Sequence, residues 1–260
     1  MMAIGLFVFL AGLATGSFLN VCIWRLPRGE SLLAPPSHCP ACDRPIGWWD
    51  NIPLLSYALL LGRCRGCGTA ISARYPAVEL LSALLWTALW WRWGRMKPEG
   101  FWFAPACLAG DVLLLIAFID CYTRRIPDVL SIGLLVLGLL ASPFNPELGA
   151  GPSRRILLSA AGAGAGFIIC WGVAALGRFI FKREAMGWGD VLMLAGVGAW
   201  GGPLGAYDCL VLGSLAGSAF AAVLFISGRV RRRAKIPFGP FLTAGAIANL
   251  FWLMPFGFPG

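Results

Sequence analysis

Eight apolar runs divide this 260-residue chain, at about 3–24, 76–94, 104–121, 128–142, 156–180, 190–201, 203–227 and 238–256. Most are near the roughly 20 residues that a helix needs to cross a bilayer core. They are continuous rather than alternating, which excludes a transmembrane β-barrel pattern. Composition agrees: 58% of the residues are hydrophobic, 34 more are glycine, and only 33 carry formal charge, 21 basic and 12 acidic. Such a balance excludes an ordinary soluble globule, a disordered chain and a disulfide-rich secreted module. The expected fold is an all-α polytopic membrane protein of about eight transmembrane helices. The sixth run is short enough to be a partial or tilted span.

The net charge of +9 marks either nucleic-acid binding or the positive-inside bias of membrane loops. Its distribution decides. With eight spans, one set of loops (25–75, 122–127, 178–189 and 228–237) holds 16 of the 21 basic residues, and the other set holds five. The first set is therefore cytoplasmic and both termini lie outside. The basic excess is topogenic, and nucleic acid is not an expected partner. The first run has no basic region before it, so it does not read as a cleavable signal. No repeat of 20–50 residues is visible. Gly162, Gly164 and Gly166 sit inside an apolar run, where close helix packing is a better reading than a phosphate-cradling loop.

Three stretches follow: a first transmembrane helix (1–24), a cytoplasmic insert (25–75) and a membrane core (76–260). The insert carries Cys39, Cys42, Cys64 and Cys67, two Cys-x-x-Cys pairs 21 residues apart. Four thiolates satisfy a tetrahedral zinc ion, and Pro40, Gly66 and Gly68 supply turn chemistry around them. Two separate redox pairs or four idle thiols are the alternatives, and a reducing cytoplasm argues against structural disulfides. About 50 residues enclose little core, so the metal is expected to supply folding energy rather than chemistry. His38 reads as a neighbour of the site. Cys22, Cys107, Cys121, Cys170 and Cys209 read as small apolar fillers.

Carboxylates beside lipid are costly and usually face a cavity with a role. Asp120 ends the third run and Asp190 opens the sixth, both at the same cytoplasmic level; Glu79, Asp111 and Asp208 are further candidates. Asp190 lies in Gly187-Trp188-Gly189-Asp190, whose glycines admit close backbone approach. Asp120 is followed by Pro127-Asp128, where one helix ends and the next begins. Two carboxylates at one depth share a proton and titrate as a unit, which is aspartic-peptidase chemistry. The plainer reading pairs Asp120 with Arg124 and makes Asp190 a helix cap.

Taken together, the motifs resemble the type IV prepilin peptidases, membrane aspartic peptidases of the Gly-x-Gly-Asp type. The likeness spans nearly the whole chain. It begins with Gly16-Ser17-Phe18-Leu19-Asn20-Val21 and Arg25-Leu26-Pro27. It continues through the two cysteine pairs with Asn51-Ile52-Pro53-Leu54-Leu55-Ser56-Tyr57 between them, then Arg74-Tyr75-Pro76 and Val78-Glu79-Leu80. Asp120 with Pro127-Asp128, Met186-Gly187-Trp188-Gly189-Asp190-Val191 and Pro237-Phe238-Gly239-Pro240-Phe241 complete the series. One departure is Leu192, where many members carry lysine.

The resemblance implies a multi-pass protein of the bacterial inner membrane with its site facing the cytoplasm. Asp120 and Asp190 would be catalytic, supported by Gly187, Gly189 and Asp128. The substrates would be prepilins or pseudopilins, cut after the glycine that ends a short basic leader. Glu79, Glu184 or Asp128 would hold that leader, unless these are only caps and surface charges. Members with the cysteine insert commonly methylate the new N-terminus with S-adenosylmethionine. A peptidase without methylation, a proton-coupled transporter and a non-catalytic secretion-apparatus subunit are the alternatives. A transporter predicts midplane acids and inverted repeats, and neither is visible.

Overall fold

The computed structural model describes residues 2–95, 99–182, 186–228 and 237–251. Among them the regular structure is helical: α1 (Met2–Arg25), α2 (Leu55–Leu59), α3 (Arg74–Leu89), α4 (Phe103–Thr123), α5 (Asp128–Ala141), α6 (Pro152–Phe181), α7 (Trp188–Ile226) and α8 (Gly239–Phe251). The apolar runs thus become helices, as lipid demands of a backbone that must satisfy its own polar groups. Four of them, α1, α4, α6 and α7, are long and apolar enough to cross a membrane. The chain divides into two compact units, Met1–Phe103 and Ala104–Gly260.

In the first unit, α1 and α3 pack antiparallel through small residues. A Cβ at Gly12 would lie 2.7 Å from Ala83 Cα, and one at Gly16 would lie 2.6 Å from Glu79 Cα. Only glycine admits backbones this close, a device common between membrane helices. The insert between them carries α2 and two isolated β-bridges, His38 with Pro45 and Arg63 with Ala70. α3 ends in a π-helical turn, Trp90–Gly94, where Arg92 lies 3.8 Å over the Trp93 ring and Arg95 lies 4.2 Å over Trp91.

In the second unit α7 packs against α5, α6 and α8. Gly162 and Gly166 of α6 abut the α7 backbone at Gly198 and Leu194, whereas Gly164 meets nothing. Two of the three clustered glycines are therefore packing residues. α7 breaks at Gly202 (φ 67°, ψ −171°), followed by Pro203. The break falls where the sequence separates its sixth and seventh runs. Proline cannot donate to the carbonyl four residues back, and the break frees the next carbonyl as well. Both are recovered: Ser159 Oγ donates to Ala199 O (2.7 Å) and Asn145 Nδ2 to Trp200 O (2.6 Å). Trp200 Nε1 in turn donates to Leu134 O of α5 (2.8 Å).

Candidate active site and thiol cluster

α4 delivers Asp120 in its last turn, and α7 delivers Asp190 in its first. Asp120 is buried. Its Oδ2 accepts the backbone N–H of Gly239, the first residue of α8, at 3.1 Å. Asp190 is half-buried, and its Oδ2 accepts the backbone N–H of Gly187, also at 3.1 Å. Each carboxylate therefore has one oxygen fixed by a glycine N–H at a helix N-terminus, where exposed donors and the helix dipole favour negative charge. Among the described residues neither has a further hydrogen-bond partner. The two are near enough for the charge of Asp120 to act on Asp190.

The loop after α4 and the start of α5 hold α7's first turn in place. A Cβ at Gly189 would lie 2.7 Å from Ile126 Cβ and 2.9 Å from Ile126 O, so this position excludes any side chain. Ser131 Oγ donates to Gly189 O (3.5 Å). A Cβ at Gly187 would meet only the Asp190 carboxylate, at 3.3 Å. Asp190 does cap its helix. Asp120 forms no ion pair with Arg124 among the described residues, only a backbone bond from Arg124 N to Asp120 O (2.9 Å).

Of the other acids, Asp128 is exposed at the start of α5, Asp111 is buried in α4, and Asp208 is buried beyond the break in α7. Glu184 lies outside the described residues. Gly239 was not among the residues expected at the site. Its signal was present in the Pro-Phe-Gly-Pro-Phe motif, but its partner stands 119 positions away.

In the insert, Cys39, Cys42, Cys64 and Cys67 converge, with all four sulfurs within 4.8 Å of one another. Cys39 Sγ and Cys67 Sγ are 3.9 Å apart. Metal–sulfur bonds of about 2.3 Å in a tetrahedron give sulfur–sulfur edges of about 3.8 Å, so the cluster fits a four-thiolate metal site. Thr69, whose Oγ1 lies 3.3 Å from Cys67 Sγ, lowers the Cys67 thiol through its hydroxyl and its backbone N–H, whereas Cys42, despite the backbone bond at Arg44, is raised to about 11 by desolvation and by its hydrogen bonds with the other three thiols. Backbone N–H groups of Cys67 and Gly66 lower Cys64. Thiolates are the form that binds metal.

The two cysteine pairs occupy matching turns that the sequence does not reveal as a repeat. Cys39 N donates to Arg44 O (2.9 Å), Asp43 N to Cys39 O (2.8 Å) and Ile46 N to Ser37 O (2.8 Å). Twenty-five residues on, Cys64 N donates to Thr69 O (2.9 Å), Gly68 N to Cys64 O (2.9 Å) and Ile71 N to Gly62 O (2.7 Å). Asp43 and Gly68, at equivalent places, both have positive φ. Arg65 clamps the second turn to Asp50, with Nε 3.0 Å from both carboxylate oxygens and Nη2 2.7 Å from Oδ1.

Residues 10–93 match the Bacterial Peptidase A24 N-terminal domain, and residues 107–225 match the Type IV leader peptidase family. The chain is 37% identical to the type 4 prepilin-like proteins leader peptide-processing enzyme of Escherichia coli O78:H11, over 92% of this chain and 91% of that protein. It is 37% identical to a prepilin leader peptidase/N-methyltransferase of Aeromonas salmonicida (94% and 89% covered) and 39% identical to one of Klebsiella pneumoniae (81% and 90% covered). No solved structure matches the chain. Two adjoining family domains and relatives aligned over nearly their whole lengths leave one conclusion: the chain belongs to the type IV leader peptidase family.

Proposed function

We propose that this chain removes the leader from type IV prepilins or pseudopilins and then methylates the new N-terminus, with Asp120 and Asp190 as the catalytic pair. The observation that supports this most is the matched setting of the two aspartates. Each is held through one oxygen by a glycine N–H, and each belongs to its own motif. One carboxylate takes a proton from water as the water attacks the scissile carbonyl. The other donates to the carbonyl oxygen, and the proton then passes to the leaving amine. Gly187 and Gly239 hold the pair through their N–H groups, Gly189 lets Ile126 pack against the first turn of α7, and Asp128 supports the first motif. The basic leader ends in glycine, and the apolar pilin helix beside it aligns the scissile bond.

The reading includes eight spans, both termini outside, and a site opening to the cytoplasm of a bacterial inner membrane. In it, residues 1–24 form the first span, 25–75 the insert and 76–260 the peptidase core. Zinc, held by Cys39, Cys42, Cys64 and Cys67, orders the insert and carries no step of the cleavage. S-adenosylmethionine supplies the methyl group. Purified protein in detergent with a prepilin-like peptide and S-adenosylmethionine is the test. Mass spectrometry is expected to record both the shortened peptide and a 14-dalton gain on it; an intact peptide contradicts the peptidase reading.

A further inference from the structure

The first unit contains a buried acidic group outside the catalytic pair. Glu79 of α3 is 8% exposed. Its Oε2 takes the backbone N–H of Leu54 (2.9 Å), and the Ser17 side chain of α1 stands beside it. Both partners are neutral. A carboxylate removed from water is costly unless it takes up a proton or something of opposite charge arrives. Arg74, five residues before Glu79, stacks over the Tyr75 ring at 4.9 Å, and Arg25, five residues after Asn20, donates to Ser31 O (2.9 Å) and Pro35 O (2.5 Å).

One helical turn away along both helices stands Asn20, 3% exposed. Its Nδ2 is shared between Gly16 O of its own helix (3.4 Å) and Tyr75 O of α3 (3.0 Å). That leaves Oδ1 buried and without a hydrogen-bond partner. Native proteins seldom leave such an acceptor unsatisfied, and the exceptions call for an explanation. The segment that reaches Glu79 is itself constrained. Leu54 has φ 59° and ψ −45°, and Leu55 N donates to Pro53 O (2.6 Å), a positive-φ γ-turn that non-glycine residues rarely adopt. Strained backbone of this kind clusters at functional sites.

A bare carboxylate, an orphaned amide oxygen and a strained turn pinned to the carboxylate form an acceptor set that lacks its cation. We infer that Glu79 and Asn20 Oδ1 seat the cationic centre of the methyl-transfer step, either the sulfonium of S-adenosylmethionine or the newly freed N-terminal amine. This rests on the methylation reading above. In the step the amine lone pair attacks the methyl carbon and an N–C bond forms. The C–S bond breaks with its electron pair left on sulfur, giving S-adenosylhomocysteine. The amine's surplus proton goes to the Glu79 carboxylate or to water.

Glu79→Gln keeps an acceptor for Leu54 N–H and removes the charge, and Asn20→Ala removes the orphaned oxygen. The full-length protein is assayed for leader cleavage, zinc content, equilibrium binding of S-adenosylmethionine and of S-adenosylhomocysteine, and KM for a pre-cleaved peptide with a free N-terminus. The expected result is zinc content within two-fold of wild type in both variants and cleavage within two-fold in Asn20→Ala, with methyl transfer to the pre-cleaved peptide, which carries no leader, reduced about ten-fold or more in both, the scale of a lost hydrogen bond to a charged group. If the seat holds the sulfonium, the preference for S-adenosylmethionine over its uncharged thioether product is lost; if it holds the amine, KM for the pre-cleaved peptide rises instead. Both quantities unchanged in both variants, or cleavage and zinc falling in step with methylation, overturns the assignment. A wild-type protein that cleaves but binds no S-adenosylmethionine and adds no methyl overturns the methylation reading, and this seat with it.

Discussion

Gly239 donates its backbone N–H to Asp120 Oδ2 at 3.1 Å, and a Cβ on Gly239 would stand 2.7 Å from that same oxygen. The start of α8 therefore both orients the aspartate and forbids a side chain beside it. Gly239→Ala is expected to push the carboxylate out of place at a cost of about 1–3 kcal/mol, the range for overpacking a tight site. Cleavage should fall at least ten-fold while the protein still inserts and retains its metal. Turnover like wild type would show that Asp120 does not depend on this contact.

Replacing the four clustered cysteines by serine should abolish metal binding, because serine does not supply the soft thiolates. Elemental analysis is expected to give close to one zinc per wild-type chain and none in the variant. Methyl transfer should suffer more than cleavage, since the aspartates lie outside the insert in sequence. Wild-type protein without metal would refute the site.

The Arg65 guanidinium, through its hydrogen bonds, holds Asp50 below the ordinary carboxylate range. A depressed carboxylate stabilises the fold above its unfolded pKa, about 3.9, and the contribution disappears as pH falls through the folded value. Protease resistance of the metal-loaded insert should thus be greater in wild type than in Asp50→Asn at pH 7, with the difference closing below about pH 4. A difference that is unchanged by acid would place the effect elsewhere than in this ion pair.

Orientation is testable with single introduced cysteines and an impermeant maleimide on intact cells. Arg125→Cys, just after α4, should stay unlabelled, and Arg95→Cys, after the π-helical turn, should react. The reverse pattern contradicts the charge-based topology.

Much of the architecture was legible because lipid enforces it. Continuous apolar runs have to become helices, and even the break in α7 was marked by Gly202-Pro203. The convergence of the four thiols was legible from spacing, because few arrangements satisfy two Cys-x-x-Cys pairs. The 25-residue correspondence between their turns was not, because backbone hydrogen bonds build it and, outside the cysteines, only Ile46 and Ile71 match. Gly187-Trp188-Gly189-Asp190 announced itself as a motif, but the need for Gly189 comes from Ile126, on a different segment. The strained turn at Leu54 is likewise a tertiary effect, fixed by Glu79 on another helix. Local pattern carries no information on such partners.

The pairing of Asp120 with Asp190 is tested most directly by measuring leader-peptide release from a prepilin-like substrate by Asp120→Asn, Asp190→Asn and Asp128→Asn proteins that are inserted and metal-loaded. The first two are each expected to lose about 10²-fold or more in rate, as removal of a general acid or base does. Asp128→Asn, altered at an exposed position, should stay within a few-fold of wild type. An inactive Asp128→Asn beside an active Asp120→Asn would contradict the account and move the first catalytic aspartate to the start of α5.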